Sequence, residues 1–325
     1  MAIINLKNIS KSYEYYKKQP GLLSSFKNLF YREKLFAKAV KNISFNIEEG
    51  ELVGFLGPNG AGKTTTLKML SGILPPTDGE INILGYNPVN RDKKYQKQFG
   101  LVMGQKNQLW KDLPAMDNFI LIKDIYEVPD NEFSKNLNEL VDLLEIKDIL
   151  NIQVRKLSLG QKMKCELVAA LLHNPRILFL DEPTIGLDVV AQKNIRDFMK
   201  KYNKRNKTTI ILTSHYMEDI KDLCKRVIII NLGKIIYDGN LNDLIKKYTP
   251  HKILKITFNN GGVKKEAIEK YGIIEKFNPY STIIKVDREK AKDVAISILS
   301  SNLPVDDILI DEPDINEVIR EIFSN

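Results

Sequence analysis

The residues Gly57-Pro58-Asn59-Gly60-Ala61-Gly62-Lys63-Thr64 satisfy the pattern G-x-x-x-x-G-K-[ST] at every fixed position. These residue types at this spacing make a cradle for phosphate. Glycines at 57, 60 and 62 let the backbone wrap tightly and turn successive N–H groups towards an anion at the start of the following helix. Pro58, Asn59 and Ala61 complete the loop, and Thr65 carries the nucleotide-binding stretch into the helix. Lys63 would reach the β- and γ-phosphates, and the Thr64 hydroxyl would take one position around Mg²⁺. The flanks fit: Glu51-Leu52-Val53-Gly54-Phe55-Leu56 is an apolar run of strand type, and Thr65-Thr66-Leu67-Lys68-Met69-Leu70 is helical in character. Such a cradle serves kinases, GTPases and ATPases alike, so other residues must discriminate among them.

Ile177-Leu178-Phe179-Leu180 is an unbroken apolar run, the pattern of a strand buried on both faces, and it ends in Asp181-Glu182-Pro183. Asp181 is suited to hold Mg²⁺ indirectly through water, and Glu182 to polarise an attacking water. The plainer role for either acid is a helix cap. Thr208-Thr209-Ile210-Ile211-Leu212-Thr213 and Val227-Ile228-Ile229-Ile230 repeat the strand type, with helical segments between. The positioning framework is therefore a largely parallel sheet covered on both sides. Asp181, Glu182, Ser214 and His215 all follow strands, on the carboxyl-end rim where such sheets hold ligands and where Lys63 also lies. Ser158 could simply cap the helix from Gln161 to His173.

Around this core the chain offers an opening strand, Ile3 to Leu6, and a second, Asn42 to Ile47. Between them runs a basic insertion, about 15–38, with Leu22, Leu23, Phe26, Leu29 and Phe30 at helical spacing. It could lie on an anionic membrane, dock on a partner's helix, or cover its own domain. Strands are expected at 81–85 and 99–103 and a helical insertion at about 106–174, where Phe133, Leu137, Leu140, Val141 and Leu144 share one face behind an Asp130 cap. From residue 252 a β-α-β-β-α-β order suggests a ferredoxin-like domain. Its Asp311-Glu312-Pro313 triplet has no phosphate loop and reads as a turn. The expected domains are 1–240 and 241–325.

At 325 residues, 43% apolar and 28% charged, the composition is that of a soluble globular protein. No run approaches the roughly 18 apolar residues of a membrane span, and the N-terminus lacks a signal-peptide pattern, so a cytosolic chain is expected. Cys165 and Cys224 have neither metal nor redox spacing and are expected as buried thiols. The net charge of +8 is local: residues 11–41 hold eight basic and two acidic side chains, whereas residues 251–325 hold 11 basic and 13 acidic.

Leu157-Ser158-Leu159-Gly160-Gln161 resembles the signature motif of ATP-binding-cassette (ABC) ATPases, where glycine usually stands at the place of Leu159. Taken with the order of Gln105, the signature, Asp181-Glu182, Asp188 and His215, residues 1 to about 240 resemble the nucleotide-binding domain of that family. The fold implied is an α/β P-loop ABC ATPase core with an antiparallel β edge and a helical insertion. The α+β ferredoxin-like domain follows it. The resemblance further implies head-to-tail pairing of two cassettes, as homodimer or heterodimer, around two ATP. Ser158, Gly160 and Gln161 would then serve the partner's ATP. Glu182 would be the catalytic carboxylate, His215 would contact the γ-phosphate and align water, Gln105 would sense Mg²⁺ and water, and Asp188 would communicate across the dimer. For His215 a local strand-end hydrogen bond is the plainer role. Tyr13 would stack on adenine, with Tyr15, Tyr16 or Phe36 as substitutes.

The stretch Gly57 to Thr66, the sequence Pro183-Thr184-Ile185-Gly186-Leu187-Asp188 and the segment Glu312-Pro313-Asp314-Ile315-Asn316 resemble cassettes of ABC-2 type exporters. That implies separate integral membrane permease subunits, contacted through Asn107, Leu109 and Trp110 from the cytoplasmic face of the membrane. Trp110 could equally be ordinary core. The alternatives are an importer ATPase, or a soluble cassette acting on ribosomes or nucleic acid. No nucleic-acid partner is expected.

Overall fold

The computed structural model describes residues 2–16, 34–104, 106–214, 216–259, 261–314, 318–319 and 322–323. Gln105, His215, the helical spacing at 22–30 and most of the final helix lie outside the described residues. The chain divides into two compact units, residues 1–240 and 241–325.

In chain order the first unit runs β1 (Ala2–Tyr16), β2 (Lys34–Glu48), β3 (Leu52–Leu56), α1 (Lys63–Leu70), β4 (Asp78–Ile83), α2 (Lys93–Gln96), β5 (Phe99–Met103), α3 (Ala115–Tyr126), α4 (Asp130–Leu144) and α5 (Leu159–Leu171). It continues through β6 (Ile177–Asp181), α6 (Val189–Asn206), β7 (Thr209–Thr213), α7 (Met217–Leu223), β8 (Arg226–Asn231) and β9 (Lys234–Asn240). A six-stranded sheet has the order β5-β6-β7-β3-β8-β9, parallel except for β9 at its edge. Beside it lies an antiparallel sheet of order β2-β1-β4. Phe55, Phe179, Ile211 and Ile228 from one sheet and Ile4, Leu6, Ile47 and Ile83 from the other share a single buried core. That shared core fixes the phosphate loop between the sheets.

Two local expectations are corrected. The opening strands are far longer than Ile3–Leu6 and Asn42–Ile47: β1 and β2 pair from Ala2↔Glu48 to Tyr16↔Lys34. Residues 15–16 and 34–38, assigned to the basic insertion, are arms of this hairpin. Aromatic and aliphatic strand formers hold it, with a cross-strand Glu14–Lys34 ion pair of 3.1 Å. In the helical insertion, α4 buries Phe133, Leu137, Leu140, Val141 and Leu144 as the spacing predicts. Asp130 does not cap it: Pro129 holds the cap position at φ −59°, and Asp130 is the first helical residue, paired with Lys123 at 2.5 Å. Proline's fixed φ initiates the helix, and the acid complements its dipole.

The end of α5 carries a pH-sensitive packing contact. The His173 ring stacks on Tyr126 with centroids 3.9 Å apart, and its Nε2–H donates to the Phe99 carbonyl at 3.1 Å. Nδ1, the accepting nitrogen of this tautomer, is buried with no donor among the described residues. Burial pushes the ring's pKa down to about 4, against the pull of the Phe99 carbonyl. Unfolded histidine titrates near 6.5, so below that pH the unfolded chain takes up a proton that the folded chain refuses. Stability from this group is therefore complete above about pH 6.5 and declines as pH falls towards 4, by on the order of 3 kcal/mol. Denaturant titrations at pH 7 and pH 4.5 should show that loss, and His173→Gln should flatten it. An undiminished loss in the variant would place the acid sensitivity elsewhere.

The second unit comprises α8 (Leu241–Tyr248), β10 (His251–Phe258), α9 (Glu266–Glu269), β11 (Ile273–Asn278), β12 (Ser281–Asp287), α10 (Ala291–Leu299) and β13 (Val305–Asp311). Its antiparallel sheet, of order β11-β12-β10-β13, is a ferredoxin-like arrangement over a core of Leu254, Ile256, Ile284 and Ile298. Glu312 of the second Asp-Glu-Pro triplet accepts a two-pronged pair from Arg288, at 3.0 and 2.6 Å, which draws its carboxyl below the usual range. Among the described residues no helix is long and apolar enough to cross a membrane. Cys165 and Cys224 are buried free thiols, and burial pushes the Cys165 pKa up to about 12.

Candidate functional site

The phosphate loop leaves β3 at Gly57, where a Cβ would stand 2.3 Å from the Ile230 carbonyl oxygen, so only glycine lets the loop lie against β8. Gly62 closes the loop at φ +113°, and a Cβ there would meet the Ala39 oxygen at 2.7 Å. The helix α1 begins immediately after, with no side-chain cap and no acid in its first turn. Its N-terminal donors are thus left to an anion. Lys63 is buried and donates from Nζ to the Gly57 oxygen at 2.7 Å and the Pro58 oxygen at 3.2 Å. Burial lowers its pKa, while Glu182 and Asp181 support its charge.

Asp181, the last residue of β6, accepts from Thr64 Oγ1 at 2.8 Å on one oxygen and from Thr213 Oγ1 at 2.7 Å on the other. The adjoining Glu182 is buried, and its backbone sits in the left-handed region at φ +57°. Its N–H donates to both the carbonyl and the hydroxyl of Thr213 at 3.1 Å each. A non-glycine residue held so costs on the order of 1–2 kcal/mol, which the surrounding bonds must over-determine. Gly104 N–H donates to the Asp181 oxygen at 2.8 Å, and a Cβ on Gly104 would fall 2.1 Å from the Glu182 oxygen. The residue before Gln105 therefore abuts the acid pair.

The loop, Lys63, Thr64, Asp181 and Glu182 are brought together. Thr213 belongs with them and was missed; its signal was a hydroxyl at the last position of a fully buried strand. Ser214 turns away from the rim and donates to the buried Asp219. Ser158 caps α5 through a reciprocal box: its hydroxyl accepts from Gln161 N at 3.2 Å, and Gln161 Oε1 accepts from Ser158 N at 2.9 Å. These residues group with the start of α6 and the loop before it: Leu159 packs towards Gly186, and Gly160 faces Ala191. Asp188 is exposed and caps α6, accepting from Ala191 N at 2.9 Å. Tyr13 is 40% exposed and pairs with Ala37, two residues along β2 from the Ala39 that abuts the phosphate loop. Tyr15 and Tyr16 lie further out, opposite Leu35 and Lys34.

For a divalent cation, the donor set at Thr64 and Asp181 is a hydroxyl and a carboxylate, the hard oxygen ligands that Mg²⁺ takes beside a phosphate. The residues present fit such an ion.

Fold and site together define a P-loop nucleoside triphosphatase. The family model for ABC transporters matches residues 40–185, and that for the C-terminal domain of EvrA-like ABC transporters matches residues 250–311. The ABC transporter ATP-binding protein NatA of Bacillus subtilis is 35% identical over 215 residues, covering 66% of this chain and 87% of that protein. The linearmycin resistance ATP-binding protein LnrL, also of B. subtilis, is 35% identical over 218 residues, 67% of this chain and 70% of that one. A dimeric ATP-binding cassette in a post-hydrolysis state with ADP and phosphate superposes with a TM-score of 0.61 at 27% identity, covering 73% of this chain and 98% of that one. The chain belongs to the ABC transporter family, as an ATP-binding, ATP-hydrolysing subunit.

Proposed function

We propose that this subunit pairs with a second cassette around two ATP and drives separate membrane subunits that export their cargo, working at the cytoplasmic face of the membrane. The docking part of this reading is carried by Trp110, 51% exposed on a segment fixed from behind. Glu166 Oε1 accepts from Gln108 N at 2.7 Å and Leu109 N at 3.3 Å, and Asn118 Oδ1 accepts from Trp110 N at 2.7 Å. A buried carboxylate and a buried amide that fix the backbone beneath an exposed indole make a prepared contact. Leu109 is itself buried and is withdrawn as a contact. Export is favoured because LnrL is described as a resistance protein.

The chemistry follows from the rim. The triphosphate lies at the start of α1 with Lys63 on its β- and γ-phosphates, and Tyr13 stacks on adenine. Mg²⁺, held by Thr64 and through water by Asp181, would neutralise phosphate charge when bound. Glu182 accepts a proton from water as the water attacks in line. The bond from the γ-phosphorus to the bridging oxygen then breaks, leaving ADP and phosphate. Gln105 and His215 orient that water, while Ser158, Gly160 and Gln161 offer donors to the partner's γ-phosphate. Separation of the two charged products favours opening of the pair.

Tagged Glu182→Gln protein, drawn with ATP and Mg²⁺ from detergent-solubilised membranes, should bring multi-span membrane subunits with it, and Trp110→Ala should lose them. Recovery of an external binding protein would make it an importer ATPase. Ribosomes or nucleic acid in their place would overturn the transport reading.

A further inference from the structure

Behind the rim lies a buried polar centre that the nucleotide chemistry does not use. Asp219, in the first turn of α7, is completely buried. Its Oδ2 accepts from Thr184 Oγ1 at 2.5 Å and from Ser214 Oγ at 2.6 Å, and its Oδ1 accepts from Arg196 Nη1 at 2.9 Å. Each donor comes from a different segment. Thr184 lies two residues beyond Glu182, inside the tight turn closed by Ile185 N on the Glu182 oxygen at 3.2 Å. Ser214 immediately precedes His215, and its hydroxyl also accepts from Tyr216 N at 2.9 Å, bracketing that position. Arg196 projects from α6, the helix capped by Asp188, and pairs through Nε with Asp222 at 3.1 Å. On the same helix Gln192 donates to the Leu187 oxygen at 3.1 Å.

A charge this deep is tolerated only when it is paired and its acceptor sites are filled, so the three donors cannot move independently of the carboxylate. We propose that Asp219 is a positioning residue that locks the loop of Glu182 and Asp188 to the loop flanking His215, so that one carboxylate sets the register of both halves of the catalytic rim. It touches neither nucleotide nor water itself. The inference rests on the assignment of Glu182 as base, whose own failure would show separately as undiminished turnover in Glu182→Gln.

Removal of the carboxylate could unfold the chain, so the test deletes single hydroxyls instead. Thr184→Val and Ser214→Ala, made in the full chain, are assayed for steady-state phosphate release and for ATP binding. Each should lower kcat roughly tenfold with the KM for ATP within about twofold, because placement of the rim is disturbed and the phosphate loop is not. Both hydroxyls report on one carboxylate, so the double variant should fall well short of the product of the two losses. A kcat within about twofold of wild type in both single variants, with only the thermal midpoint lowered, would make Asp219 a packing residue and overturn the proposal. Losses that multiply in full would overturn it as well, because the two loops would then be set independently.

Discussion

Glu182→Gln will bind ATP within a few-fold of the wild-type affinity and turn it over about 100- to 10,000-fold more slowly, the usual range for loss of a general base. The substitution is nearly isosteric, and the backbone at this position is anchored whatever side chain it carries: its N–H is bonded twice to Thr213 and it sits in the left-handed region at φ +57°. Glutamine keeps the position and loses the capacity to accept a proton, together with the negative charge that Glu182 holds near Lys63. The phosphate loop is untouched, so binding persists and the pair of cassettes lingers in its ATP-bound form. Single-site ATP affinity with steady-state phosphate release measures both quantities. A near-normal rate would mean that another group takes the proton.

Lys63→Ala will weaken ATP binding by on the order of 100-fold, since hydrogen bonds from a charged donor are worth about 1.5–3 kcal/mol each. Lys63 is buried, and its ammonium lies in the field of both Asp181 and Glu182. Without it those two carboxylates face an incoming triphosphate without the ammonium beside them, so repulsion adds to the lost contacts. The Gly57 and Pro58 oxygens that Lys63 ties together are released as well. Calorimetric titration with ATP checks the expectation, and an affinity within threefold of wild type would remove Lys63 from the phosphate contacts.

What the sequence made legible was whatever is encoded locally. The phosphate loop, the buried strand ending in Asp181-Glu182, the apolar face of α4 and the strand order of the second unit are patterns within short windows. Contacts that join distant segments were legible only as a shared place on the rim, which put Thr64 and Asp181 around one Mg²⁺ without showing any direct bond. Thr64 meets Asp181 across 117 positions, and Glu182 meets Thr213 across 31. No residue type at 213 announces its partner. Glu166 was hidden for a related reason: an acid in the same helix as Lys162 and Lys164 reads as a surface residue until the backbone groups of Gln108 and Leu109 are found on its carboxylate. The long hairpin was missed because its distal arms draw their pairing from each other, and a basic composition masked the alternation.

The two helix ends in this cassette are finished differently. The start of α1 carries no side-chain cap, whereas the start of α5 is closed on itself by Ser158 and Gln161. One end leaves its donors open, and the other has the N–H groups of Ser158 and Gln161 already taken up. A lone subunit would hold its own triphosphate firmly yet offer a partner's a prefolded, partly closed surface, so encounter costs little local ordering. The lifetime of a closed pair would then be clocked by the γ-phosphate, the one group able to draw the second helix end into use.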